Sequence, residues 1–362
     1  MNNKNRILTL IRGGTARGRF GSVIGVMTLA MLAILNFAQL HADDIQRLDA
    51  HDRALPEAGE HEGFAETLDT VAWTPSPFIV TTQRVWAPHE TVPIRFVEFP
   101  SPRPTAHAPT NTVHARWYVA QPESPQPDQL RPAVVLVHSL HPDAPIAQAL
   151  ARTLAQRGVH ALLIDLPGYR RRRGPDDVWP GVRAVLHGAQ AVADVRRAYD
   201  AAAALPGIDP DRILLQGTSL GSFPAAVAAG LGTEPYALVL LLGGGNLIDI
   251  IEHGQKDAAN FRETLERHGI HQTRRAAVLA PLEPLKIAHR LNPQTTWLLA
   301  ARNDQVVSPA NALALAEAIG LDASRFVYLP GNHYTATFAL PAVVDLLVRI
   351  AEAEDPGTLD AP

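Results

Sequence analysis

The chain contains no cysteine. That removes a thiolate nucleophile, disulfides and cysteine-ligated zinc, but leaves the compartment open, because exported proteins can also lack cysteine. Basic residues are not in excess either: 32 Lys and Arg stand against 36 Asp and Glu, a net charge of −4. Lys4, Arg6, Arg12, Arg17 and Arg19 all precede the first acid at Asp43, so the remaining chain is more acidic than that balance. A mildly acidic body has no electrostatic reason to bind nucleic acid. Metal-ligand spacings, dinucleotide fingerprints, phosphate loops and internal repeats are missing too, so neither a metal nor a cofactor is expected. What is present is ordinary for a globular chain, with 46% apolar and 19% charged residues in a length of 362.

A long apolar run lies near the N-terminus. Val23 to Leu40, interrupted by Gly25, Thr28, Asn36 and Gln39, follows the basic stretch and leads to Leu40-His41-Ala42. This pattern predicts a signal peptide or an uncleaved membrane anchor over residues 1–42, hence an exported protein: periplasmic, secreted or membrane-anchored. Residues 43–74 are polar and acidic, and are expected to form a linker or N-terminal arm. The folded domain is expected over residues 75–362. Twelve of the 30 prolines fall between Pro75 and Pro132, which excludes long helices there. Between them, residues 94–99 and 113–120 alternate apolar and polar, as antiparallel edge strands do.

From Ala133 the pattern changes. Residues 133–138, 159–165, 212–216, 237–242, 296–301 and 326–329 are short apolar runs, as expected of strands buried on both faces. Helical patterns separate them, from Asp143 to about Arg157, from Val182 to Leu205 and from Leu340 to Ala353. Strands alternating with helices predict an α/β protein whose mostly parallel sheet is covered on both faces. Residues 246–293 break the alternation with several short helical patterns. That is too long for a simple loop, and a helical cap insertion over the carboxyl ends of the strands is expected.

Gly217-Thr218-Ser219-Leu220-Gly221 follows the run at 212–216 and precedes an Ala-rich helical segment. A Gly-x-Ser-x-Gly in a strand–turn–helix setting holds its serine on a strained turn with the hydroxyl exposed above the sheet. Together with Val135-Leu136-Val137-His138, Asp165-Leu166-Pro167-Gly168-Tyr169, Asn303-Asp304 and Gly331-Asn332-His333-Tyr334, this segment resembles the α/β-hydrolase superfamily. The stretch from Gly207 to Ile213 is similar to the branch containing dienelactone hydrolases, acetyl-xylan esterases and prolyl-oligopeptidase-type enzymes.

The resemblance implies a serine hydrolase with Ser219 as nucleophile, His333 as base and Asp304 as the acid that orients it; Asp249 is the alternative acid. One oxyanion donor is expected from Leu220 N–H, and the second from Ser139 or Leu140. His138-Ser139 stands where many members have His-Gly, so His138 is expected to order this loop rather than react. The run Arg170 to Arg173 has two readings: a solvated charge run, or a selector of anionic substrates. The implied substrate is a small ester or acylated molecule. A peptidase or amidase on the same triad is the enzymatic alternative, and a non-catalytic binding protein that kept the fold is the alternative from another class.

Overall fold

The computed structural model describes residues 45–85, 90–121, 129–175 and 180–359. The expected signal peptide or anchor at 1–42 lies outside them. Among the described residues no helix is long and apolar enough to cross a membrane.

Among the described residues ten strands form one sheet: β1 (Ile45–His51), β2 (Pro77–Arg84), β3 (Ile94–Pro100), β4 (Thr112–Tyr118), β5 (Arg131–Val137), β6 (His160–Ile164), β7 (Ile208–Thr218), β8 (Ala237–Leu241), β9 (Thr296–Ala301) and β10 (Phe326–Leu329). Their order across the sheet is β1-β2-β3-β4-β6-β5-β7-β8-β9-β10. From β6 to β10 every neighbour is parallel, whereas β2, β3 and β4 pair antiparallel and join the parallel part through β6.

The apolar runs have a simple cause. Successive side chains in a strand face opposite sides, and here both sides are covered. Val135 and Val137 enter one core while Val134 and Leu136 enter the other. Helices Pro145–Gln156 and Leu340–Glu352 pack on the second face, and helices Gly188–Ala203 and Ser222–Ala228 on the first.

Two expectations need correction at the N-terminal side. β3 and β4 are not edge strands, because β2 and β1 extend the sheet beyond them. Nor are residues 45–74 a linker. They hold β1 and the helix Glu62–Val71, whose Phe64 and Val71 enter the core. Asp52 anchors this arm. Its buried carboxylate accepts from Arg197 Nε at 2.8 Å, Trp73 Nε1 at 3.0 Å and Ser76 N–H at 3.1 Å. Burial pushes this carboxyl up, but the hydrogen bonds from Arg197 and Trp73 outweigh it and the net shift is downward. The arm carries few large apolar residues, so its attachment through Asp52–Arg197 and Arg53–Asp200 to a helix far along the chain was not visible as a pattern.

The segment 246–293 contains helices Leu247–His253, Asp257–Arg267 and Gln272–Leu279, followed by three short 3-10 turns. Arg275 binds them together. It is buried and pairs with Glu252 of the first helix and with Glu266 of the second, at 2.5 Å for the latter. Leu282, Ile287 and Ala288 from the turns enter the same core cluster as Leu247, Ile250, Phe261 and Leu279 of the helices, so the whole segment is packed onto the domain.

Candidate active site

The loop after β7 creates the first element. Ser219 has φ +50°, a left-handed conformation that costs a non-glycine residue about 1–2 kcal/mol. The turn is so tight that a Cβ on Gly217 would strike the Gly221 carbonyl, and one on Gly221 would strike the Val137 carbonyl of β5. Both glycines are therefore required by sterics. The strained turn lifts the Ser219 hydroxyl to the carboxyl end of the sheet.

His333 reaches the same place from the loop after β10. Gly331, at φ +92°, turns the chain. Asn332 Oδ1 then accepts from Tyr334 N–H at 3.0 Å and Thr335 N–H at 3.1 Å, while Asn332 N–H donates to Thr335 Oγ1 at 2.8 Å. This closed turn presents the imidazole with its Nε2 2.9 Å from Ser219 Oγ and its Nδ1 2.7 Å from Asp304 Oδ2. Asp304 follows β9, and its other oxygen accepts from Val306 N–H at 2.8 Å and Val307 N–H at 3.1 Å. Its carboxylate is thus fully engaged, with one oxygen fixed by backbone and the other left for the histidine.

The alternative acid is elsewhere. Asp249 accepts from Asn311 Nδ2 at 2.9 Å and pairs with His253 at 2.8 Å, with its side chain 41% exposed. It makes no contact with His333.

Ser139, Leu140 and Leu220 are all brought beside Ser219, where they help to line the space around the hydroxyl. His138 holds the Ser139–Leu140 loop. Its Nδ1 donates to the Ser139 carbonyl at 2.7 Å, and its Nε2 accepts from Leu166 N–H at 3.2 Å, which fixes a single neutral tautomer. Tyr169 packs edge-on to the His138 ring at 4.4 Å and donates its hydroxyl to the Leu140 carbonyl at 3.0 Å.

His138 is fully buried, and burial lowers its pKa to about 4. His160, whose Nδ1 accepts from Trp117 Nε1 and Ala120 N–H at 3.1 Å each, is lowered to about 4 by the same cause. Both folded values lie below the unfolded one near 6.5, so each residue contributes stability above that pH which is lost as the pH falls toward 4. The expected loss is up to about 3 kcal/mol per histidine. Urea unfolding at neutral and acid pH checks this. His160→Gln keeps an acceptor and is expected to flatten the dependence; a slope equal to wild type would contradict the assignment.

The arginine run is solvated only in part: Arg171 and Arg173 are exposed, but Arg172 is not. Arg172 is completely buried, donating to the Asp165 carbonyl at 2.9 Å, to the Thr110 carbonyl and to Asp194 Oδ2 at 2.6 Å. Arg171 pairs with Glu98 at 3.0 Å over the Phe96 ring, and Arg170 donates to the Asp143 carbonyl at 2.6 Å. None of these three lines the cavities at Ser219. A run of like charge looks solvated in sequence because partners as distant as Glu98 and Thr110 cannot be seen there.

Two cavities open on either side of the Ser219 hydroxyl. One, of about 70 Å³, is walled by Leu247, Ile250, Ile251 and Phe261 of the cap and by Leu220 and Phe223 below. The other, of about 200 Å³, is lined by Ser139, His141, Ile146, Tyr334, Thr337 and others. Asp257, at the start of the second cap helix, borders both. Sequence reasoning gave it no role. Among the described residues, no three side chains are grouped so as to hold a metal ion.

The prolyl oligopeptidase family model (Peptidase_S9) matches residues 147–329, just over half of the chain. The chain belongs to the prolyl oligopeptidase family. Its fold is the α/β-hydrolase fold, and the protein is a serine hydrolase. Among solved structures this family member is similar to the acetyl xylan esterase from Paenibacillus sp. R4, at 18% identity over 81% of this chain and 96% of that one, with a TM-score of 0.57. It is also similar to the α/β hydrolase GrgF from Penicillium sp. sh18, at 18% identity over 72% and 100% with a TM-score of 0.54. A third is a puromycin-hydrolyzing peptidase from Mycobacterium tuberculosis, at 18% identity over 78% of this chain but 47% of that one, with a TM-score of 0.52. At such identities the likeness is one of fold. A search of the curated proteins finds no match.

Proposed function

We propose that this hydrolase cleaves carboxylic esters with an apolar acyl group through an acyl-enzyme. In this reading Ser219 attacks the acyl carbon while His333 Nε2 takes its proton, and the protonated imidazole returns that proton to the departing alkoxide. A water then repeats the sequence on the acyl-serine and releases the acid. Asp304 holds the tautomer with Nδ1 protonated and stabilises the imidazolium. The observation that carries the reading is the unbroken chain Ser219–His333–Asp304, with 2.9 and 2.7 Å links, next to a cavity walled by aliphatic and aromatic side chains.

The developing oxyanion needs two backbone donors. Leu220 N–H supplies one by its position after the nucleophile. For the second, Leu140 is favoured over Ser139. The His138 carbonyl faces Gly221, so in a trans peptide the Ser139 N–H is directed away from the turn. The Ser139 carbonyl is held by His138 Nδ1, which fixes the orientation of the Leu140 N–H, and no described backbone carbonyl accepts from it.

Amide cleavage by the same groups is the second reading, favoured by the family and by the likeness to a peptidase. One experiment addresses both. The purified protein is labelled with a fluorophosphonate and assayed on aryl esters of graded acyl length beside peptide anilides. Labelling at Ser219 with ester turnover far above anilide turnover supports the esterase reading; the reverse order supports the amidase. Absence of labelling and turnover removes the hydrolytic assignment of this site.

If the cap cavity holds the acyl group, its size should set chain-length preference. Phe261→Ala is expected to raise kcat/KM for longer acyl esters relative to the acetyl ester by roughly tenfold, while costing about 3 kcal/mol of stability. An unchanged preference in a folded variant would move the acyl chain to the other cavity.

A further inference from the structure

Among the described residues, Asp257 is the one carboxylate in the lining of either cavity beside Ser219, and no described lysine or arginine lines them. It is half-buried and, among the described residues, forms no ion pair. A carboxylate facing an apolar space without a cation is unfavourable, so its presence calls for a partner. The Tyr334 hydroxyl donates a hydrogen bond to it and it stands in the first turn of its own helix, but neither supplies a full positive charge. Lys256, next in the chain, directs its ammonium over the Tyr334 ring, 5.4 Å from the centroid. The Tyr334 hydroxyl stands beside Asp257, and burial together with that negative charge pushes the phenol up to about 12. A phenol that stays protonated offers a hydrogen bond and no positive charge. His333, which also borders both cavities, is committed to Ser219 and Asp304.

We infer that Asp257 is a specificity-determining residue that selects substrates carrying an ammonium group a few bonds from the scissile carbonyl. This rests on the reading of Ser219 as the nucleophile and names the substrate class of that site. The carboxylate can be reached from either cavity, so the cation can belong to the acyl part or to the leaving group. The Tyr334 ring, already in contact with one cation, adds a second attractive surface.

The test uses the full chain and two matched ester pairs. Acetylcholine, the acetate ester of choline, is compared with its neutral carbon isostere 3,3-dimethylbutyl acetate, for a cation in the leaving group. The p-nitrophenyl ester of glycine betaine is compared with that of tert-butylacetic acid, for a cation in the acyl part. Asp257→Asn keeps the shape, and the ratio of variant to wild type cancels the intrinsic reactivity of each ester. The charged-to-neutral ratio of kcat/KM is expected to fall at least ~10-fold in one pair, carried by KM, and Asp257→Glu is expected to retain most of it. The pair that responds identifies which cavity takes the cation. A ratio unchanged in both pairs overturns the inference. Should Asp257→Asn not fold, tetramethylammonium competition against a neutral ester on the wild type decides. Competitive inhibition that weakens as salt is raised supports the site, and no inhibition overturns it. A protein that is labelled by fluorophosphonate and turns over neutral esters, yet ignores charge, refutes this inference alone. One that is neither labelled nor active refutes the hydrolytic reading beneath it.

Discussion

Ser219→Ala is expected to lower kcat on activated aryl esters by at least ~10³-fold and to abolish fluorophosphonate labelling, because only the attacking oxygen is lost. The fold should survive, since alanine occupies the same φ of +50° with fewer atoms. Ser219→Gly separates the two properties of this position. It should be equally inactive yet more stable by about 1 kcal/mol, because glycine relieves the left-handed strain. Steady-state kinetics beside thermal unfolding of both variants checks the pair. Near-wild-type turnover in either would end the assignment of Ser219 as nucleophile. Equal stability of the two would mean that the elbow stores no strain.

Asp304→Asn is the second large effect, an expected loss of ~10⁴-fold in kcat near neutral pH with KM little changed. The direction follows from the two backbone donors on Asp304 Oδ1, Val306 N–H and Val307 N–H. They require an oxygen at that position, so the amide nitrogen of asparagine must face His333 Nδ1. The imidazole then accepts there and carries its proton on Nε2, where it cannot take the proton of Ser219. Asp249→Asn, by contrast, breaks only contacts with His253 and Asn311 and is expected to change kcat less than ~3-fold. Kinetics of the two variants on one activated ester suffice. A larger loss in Asp249→Asn than in Asp304→Asn would reverse the assignment of the acid.

Much of the parallel sheet was legible because burial of both faces writes itself into consecutive residues. β8 reads as an unbroken apolar run, and β5, β6 and β9 as apolar runs after their first one or two residues, for that reason alone. The elbow was legible because its glycines answer a local steric demand that no other residue type meets. These are short-range constraints, and the sequence by itself determined them. Where partners are distant, it left choices open or misled. Asp52 and Arg197 are 145 positions apart, so the arm they fix looked like a linker. Arg172 is neutralised by Asp194 and by carbonyls of other segments, so a buried arginine passed for part of a solvated run. Asp304 and Asp249 each follow a strand, and what separates them is which one the fold carries to within 2.7 Å of an imidazole. Asp257 had no signal at all, since a carboxylate in the first turn of a helix is ordinary. Its position beside Ser219 arises from the way the helices of 246–279 pack onto the domain, and that packing is decided by tertiary structure alone.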